Sequence, residues 1–174
     1  MQGPRNLVLI GMAGAGKSTV GVLLARELGF DFLDTDIEIQ NRHGGRVLQE
    51  IVDEVGSDQL LEIESEVCQT LETDRTVIAT GGSVVYRDAA MKHLHTLGPI
   101  VWLRVPLPEI ERRIAAFPQR GLAIKPGQTI ADLFAEREPL YSHYADWEID
   151  CDTEHIEQVV AEIRQRYDEA HQAQ

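Results

Sequence analysis

At 174 residues with a formal net charge of -13, the chain has room for one well-buried α/β domain but not for two ordinary ones, and it lacks the basic footprint that a nucleic-acid or anionic-membrane partner needs. Its two cysteines, Cys68 and Cys151, lie outside any C-x-x-C spacing, which argues against a disulfide framework or a zinc site and for free thiols in a reducing cytoplasm. No apolar run approaches the ~20 residues of a bilayer span, and the first residues enter a strand without a secretory core, so a cytoplasmic location is expected.

The apolar run Asn6 to Ile10 predicts the first strand. Directly after it, Gly11-Met12-Ala13-Gly14-Ala15-Gly16-Lys17-Ser18 fits the phosphate-loop pattern G-x-x-x-x-G-K-[ST]. The glycines let backbone N–H groups turn inward on a phosphate chain, Lys17 can reach the terminal phosphates, and Ser18 offers a hydroxyl to Mg²⁺. A helix from Lys17 to Leu28, with Val20, Leu23, Leu24 and Leu28 on one face, adds its positive dipole end. The second strand, Phe30 to Leu33, runs into Asp34-Thr35-Asp36. In a parallel sheet the ligand crevice lies beyond the carboxyl ends of the strands, which places these acids beside the loop. One acid can hold Mg²⁺ through water while the other accepts a proton from an attacking hydroxyl. The same residues also suit the N-cap of a helix from Thr35 to Arg42.

Helices follow from Val47 to Val55 and from Gln59 to Thr73, then a third strand from Val77 to Thr80. That strand opens onto Gly81-Gly82-Ser83, where paired glycines allow close backbone approach to a ligand. Further on come a helix from Asp88 to Thr96, a strand from Ile100 to Arg104, and a helix from Leu107 to Ala115 that carries Arg113. The stretch Phe117 to Gln128, with its prolines and glycines, predicts a long functional loop bearing Arg120. A helix from Ile130 to Tyr144 carries Arg137, and a strand from Trp147 to Asp150 and a helix from Glu154 to Ala170 complete the pattern. An arginine on a closing loop can neutralise charge on a transferred phosphoryl group, and one on a rigid helix can clamp a carboxylate. The alternation predicts a three-layer α/β/α fold around a parallel sheet of five strands.

The segments Gly11 to Thr19, Asp34-Thr35-Asp36, Thr80-Gly81-Gly82, Val101-Trp102-Leu103, Arg120 with Leu122, and Arg137-x-Pro139-Leu140-Tyr141 together resemble the shikimate kinase family over nearly the whole chain. The resemblance implies a single domain of the nucleoside-monophosphate-kinase type, with a substrate-binding helical region at about 35–73 and a lid at about 116–128. It implies transfer of the ATP γ-phosphate to the 3-hydroxyl of shikimate, on the path to chorismate and the aromatic amino acids. Carried over by position, Lys17, Asp36 and Arg120 would be catalytic, and Ser18 with Asp34 would hold Mg²⁺. Gly11, Gly14, Ala15, Gly16, Lys17, Ser18, Thr19, Arg113 and Arg120 would bind the nucleotide, with Cys151 to Glu154 at the base edge. Asp36, Gly81, Gly82 and Arg137 would bind shikimate, and a monomer is expected.

Three positions depart from the family pattern. Where the family has Gly-Glu-x-x-Phe-Arg-x-x-Glu, this chain has Gly56-Ser57-Asp58-Gln59-Leu60-Leu61-Glu62-Ile63-Glu64, so Leu61 replaces a substrate-binding arginine. Ser83 stands for a third glycine, and the lid reads Arg120-Gly121-Leu122-Ala123 in place of Arg-Pro-Leu-Leu. Arg46 and Arg87 are candidates to compensate. A kinase of another hydroxy acid, such as homoserine, would share the transfer residues, and a nucleotide-binding module without transfer would need neither Asp36 nor Arg120.

Overall fold

A computed structural model of the chain describes residues 5–117, 122, 124–151 and 155–173. Strands β1 (Leu7–Ile10), β2 (Asp31–Asp34), β3 (Thr76–Ala79), β4 (Ile100–Arg104) and β5 (Trp147–Asp150) form one sheet in the order β2-β3-β1-β4-β5. Every pairing is parallel, with Val8 opposite Ile78 on one side and Ile100 on the other. The central strands are mostly apolar and buried, whereas β2 and β5 each carry two acidic residues, are more exposed and sit at the edges. This is the three-layer arrangement that the alternating pattern predicts.

Helices α1 (Lys17–Leu28) and α8 (Ile156–Gln172) cover one face of the sheet. Helices α4 (Ser57–Gln69), α5 (Asp88–Leu97) and α7 (Ile130–Tyr144) cover the other, and α6 (Leu107–Ala116) packs beside α7. Helices α2 (Thr35–Arg42) and α3 (Leu48–Val55) lean on α4 instead of the sheet. They share a small apolar cluster of their own, Ile39, Ile51, Leu60 and Val67, separate from the main core. This helical region is thus a satellite that hangs on α4.

Most elements fall within a residue or two of the sequence reading, and the differences have local causes. Helix α4 ends at Gln69, where the Thr70 N–H and hydroxyl both donate to the carbonyls of Glu66 and Val67, the hydroxyl at 2.9 and 3.1 Å. Strand β3 stops at Ala79, and Thr80 turns both its N–H and its hydroxyl to the Leu9 carbonyl at 3.1 and 2.9 Å. A short 3₁₀ turn, Val84–Tyr86, follows the glycine pair and was not expected. Within the predicted lid, residues 118–121 and 123 lie outside the described residues, and Arg120 is among them. No described helix is long and apolar enough to cross a membrane.

Candidate active site

β1 sits where the strand order reverses, and the crevice beyond its carboxyl end holds a cleft of about 610 Å³. On one side the loop after β1 enters α1 through Gly16, whose φ of 91° is open to glycine and strained for other residues. Lys17 is buried, with its Nζ donating to the carbonyls of Gly11 (2.6 Å) and Met12 (2.8 Å). Burial pulls its ammonium down to about 8, with Asp36 pulling the other way. An incoming phosphate therefore meets a cation held against the loop by two carbonyls.

Asp34 takes the cap role and stands beside Ser18. Its Oδ1 accepts from the Asp36 N–H at 2.9 Å and caps α2, while its Oδ2 accepts from the Ser18 hydroxyl at 2.6 Å. The hydroxyl and carboxylate converge beside the phosphate loop, and such hard oxygen donors fit Mg²⁺. Among the described residues there is no group of three or more His, Cys, Asp or Glu placed to hold a metal. Asp36, two residues past the cap, lines the cleft, and burial with the nearby Asp34 charge pushes its carboxyl up to about 6.

Of the residues expected at the nucleotide, Gly14, Gly16, Lys17, Ser18, Thr19 and Arg113 line the cleft. Gly11 and Ala15 do not. A Cβ on Gly11 would come within 2.9 Å of the Leu103 carbonyl, and Ala15 is buried with its N–H bonded to Met12 at 3.0 Å. These two shape the loop. Arg113 donates to the Gly14 carbonyl at 2.8 Å and is oriented by Glu109 at 2.8 Å, a partner that the sequence did not single out. Of the expected base edge, Cys151 is buried and residues 152–154 lie outside the described residues.

The rest of the cleft is assembled from scattered side chains. Gly81 gives its N–H to the Thr35 hydroxyl at 3.1 Å, so that group is already engaged in joining β3 to α2, contrary to its expected use toward substrate. The lack of a side chain at Gly81 is what matters. A Cβ there would strike Glu64 Oε1 and lie 3.1 Å from Asp36 Oδ1. At Gly82 it would lie 2.8 Å from Arg137 Nη1 and 3.2 Å from the Ala13 nitrogen. Asp36, Glu64, Arg137 and the phosphate loop thus all press against this one glycine pair. Arg137 is buried on α7, with Nε 3.3 Å from the Tyr86 hydroxyl and its guanidinium 5.3 Å from that ring's centre. Tyr141, one turn on, donates to the Gly82 carbonyl at 2.5 Å.

Leu61 is half-buried and does not line the cleft, whereas Leu60 and Glu64 on the same helix do. Arg46 pairs with Glu54 at 2.5 Å and Arg87 with Glu62 at 2.6 Å, and neither lines the cleft. The two proposed compensations are therefore not made. Glu64, which matches the closing Glu of the family pattern, is the lining residue to which the sequence reading gave no role. Its signal was present, since it stands one turn from both Leu60 and Cys68 on the apolar face of α4, where a charged residue is out of place.

The family model for shikimate kinase matches residues 13–168, most of the chain and both sides of this cleft. The chain belongs to the shikimate kinase family. As a member it is a phosphotransferase with an alcohol group as acceptor and ATP as donor. It is similar to the shikimate kinase of Pseudomonas fluorescens, 38% identical over 165 residues that span 93% of this chain and 95% of that one. Among solved structures it resembles the shikimate kinase of Acinetobacter baumannii in complex with shikimate, with a TM-score of 0.87 at 30% identity, covering 95% of this chain and 94% of the other. The enzyme from Aquifex aeolicus gives a TM-score of 0.80 at 33% identity, over 94% and 96% of the two chains.

Proposed function

We propose that this chain transfers the γ-phosphate of ATP to the 3-hydroxyl of shikimate. The observation that carries the reading is that Lys17, Asp36 and Arg137 border one cleft, with Asp36 and Arg137 both close to the Gly81-Gly82 backbone. The likeness to a relative whose structure holds shikimate supports the same acceptor. Arg137 receives the shikimate carboxylate, which directs the hydroxyl-bearing side of the ring toward Asp36. Asp36 takes the proton from the 3-hydroxyl as that oxygen attacks the γ-phosphorus, and ADP leaves with the electrons of the broken bond. A base whose pKa is about 6 is ionised at neutral pH and still basic enough to accept the proton. Lys17 faces the charge that builds on the phosphoryl oxygens. Ser18 and Asp34 would hold Mg²⁺, which would supply positive charge against the phosphates. Arg120 adds a second cation to the transferred group in this reading. One chain supplies every group, so a monomer suffices.

The test is ADP release measured in a coupled assay with a panel of acceptors that includes shikimate, other cyclic and open-chain hydroxy acids, and homoserine. Turnover with shikimate at a kcat/KM well above the rest is expected, with kcat falling as pH drops through about 6. Preference for another acceptor would overturn the substrate and leave the transfer chemistry standing.

A further inference from the structure

Glu64 is the buried acid of the cleft that the transfer does not use. Its Oε2 accepts from the Ser83 hydroxyl at 2.5 Å, and its Oε1, closed off from solvent against Gly81, has no hydrogen-bond partner among the described residues. An ionised carboxylate with a buried bare oxygen is costly, whereas a neutral carboxyl is far less so. Ser83 donates to Oε2, which leaves Oε1 as the oxygen that carries a proton. The groups that act on Glu64 from neighbouring elements are Lys17 on α1, Asp36 on α2 and Arg137 on α7, with Tyr141 beside Arg137 and Cys68 on its own helix α4. Burial pushes Tyr141 and Cys68 up, so both stay neutral. Burial pushes Glu64 up to about 7 as well, with the Asp36 charge adding to the effect and Ser83, Arg137 and Lys17 opposing it.

This matters for an acid acceptor. Glu64 Oε1 lies against Gly81 and Arg137 Nη1 lies against Gly82, so a carboxylate received by Arg137 has Glu64 for a neighbour. Among the described residues the other cations that line the cleft, Lys17 and Arg113, belong to the phosphate side. We infer that acceptor binding is coupled to a proton on Glu64: the acid anion enters when Glu64 is neutral, and Ser83 is the positioning residue that sets where that proton sits and how readily it is lost. The inference rests on the reading that the acceptor is a carboxylic acid held by Arg137. It makes Glu64 and Ser83 determinants of acceptor affinity that leave the phosphoryl step itself untouched.

Calorimetric binding of shikimate to the nucleotide-free protein, from about pH 6 to about pH 9 in buffers of different ionisation enthalpy, tests the coupling. Net proton uptake should appear as pH passes 7, with Kd rising roughly tenfold per pH unit at the alkaline end. Glu64→Gln should abolish the uptake and bind shikimate more tightly than wild type near pH 9. Weaker binding by Glu64→Gln at every pH is what a merely structural role gives, and it would overturn the inference. Ser83→Ala removes a bond that favours the ionised form, so the alkaline weakening should move to higher pH, and no movement or the opposite one counts against it. If wild type neither binds nor phosphorylates shikimate, the functional reading has failed separately. Glu64 is then judged by its carboxyl-carbon NMR titration in the free protein. A midpoint near 7 sustains the proton on Glu64, and an ordinary carboxylate midpoint overturns it.

Discussion

The phosphate side of the cleft comes mainly from one stretch, Ala13 to Thr19, with Asp34 and Arg113 added from β2 and α6, whereas the acceptor side gathers Asp36, Leu48, Leu60, Glu64, Gly82 and Arg137 from α2, α3, α4, α7 and the turn after β3. The first is defined by backbone conformation and a lysine, and it tolerates change only within a short pattern. The second is defined by side chains on a satellite of helices with their own apolar cluster, where one substitution can be answered by another far away in sequence. Transfer chemistry and acceptor recognition can therefore diverge at different speeds on one fold.

The largest effects should fall on the transfer groups. Lys17→Ala and Asp36→Asn should each lower kcat by ~10²–10³, the usual loss when a preorganised group aimed at the transition state is removed. Asp36→Asn should do so while ATP binding, measured by calorimetry, persists. An Asp36→Asn enzyme with undiminished turnover on its own acceptor would remove the distinction between the two sides at its strongest point.

Leu61→Arg asks whether the acceptor side has compensated. Leu61 precedes Glu64 by three residues, so an arginine there can reach both the cleft mouth and the Glu64 carboxyl. A charged hydrogen bond to the acceptor carboxylate contributes roughly 1.5–3 kcal/mol, or about 10- to 150-fold in affinity. KM for shikimate should fall with little change in kcat, and the alkaline weakening of binding should shift or vanish as Glu64 gains a cation. Steady-state kinetics at pH 7 and pH 9 separates the two consequences. An unchanged KM at both would mean that the pocket already satisfies the carboxylate.

Gly82→Ala should do less to chemistry and more to fit. Its Cβ would stand 2.8 Å from Arg137 Nη1 and 3.2 Å from the Ala13 nitrogen, so the guanidinium or the phosphate loop must shift. Overpacking of this kind typically costs about 1–3 kcal/mol. KM for the acceptor should rise more than KM for ATP if Arg137, the flexible neighbour, gives way. The reverse would show that the glycine pair belongs to the phosphate side.

What the sequence made legible follows the same division. Helices α1, α2 and α7 begin and end where their glycines, caps and apolar spacing place them, and the parallel sheet follows from strands too apolar for any but a buried position. Lys17, Ser18, Asp34 and Asp36 were found because backbone geometry confines them to neighbouring positions in the chain. Glu64 and Ser83 were not paired, because their 2.5 Å contact closes only when α4 packs against the turn after β3. Leu61 stands out in the sequence as a missing charge, yet it is Glu64, one turn further along, that lines the cleft. Gly81 looked like a substrate contact through its N–H, and the Thr35 hydroxyl that takes that N–H is invisible without the fold.

The smallest effect concerns stability without ligands, and it separates the two sides by the sign of their pH dependence. Glu64 has a folded pKa raised from 4.5 to about 7, so the native state holds its proton more tightly than the unfolded chain, and stability is lost as pH rises through that interval. Lys17 has a folded pKa lowered from 10.5 to about 8, so its contribution is complete above the unfolded value and is lost as pH falls toward the folded one. The acceptor side therefore weakens the free protein on the alkaline side of pH 5 and the phosphate side weakens it below pH 10. Together they give a stability minimum around pH 7 to 8 where many proteins show a plateau. Glu64→Gln should raise Tm at pH 7.5 by a few degrees, corresponding to about 1–2 kcal/mol, and change it little at pH 4.5. Saturating ATP should shrink the Lys17 arm alone, because phosphate supplies the anion that the buried ammonium lacks. A Glu64→Gln protein with the same Tm profile as wild type would mean that Glu64 carries no buried ionisation cost, and the contrast in sign between the two sides would rest on Asp36, whose pKa is raised from 3.8 to about 6.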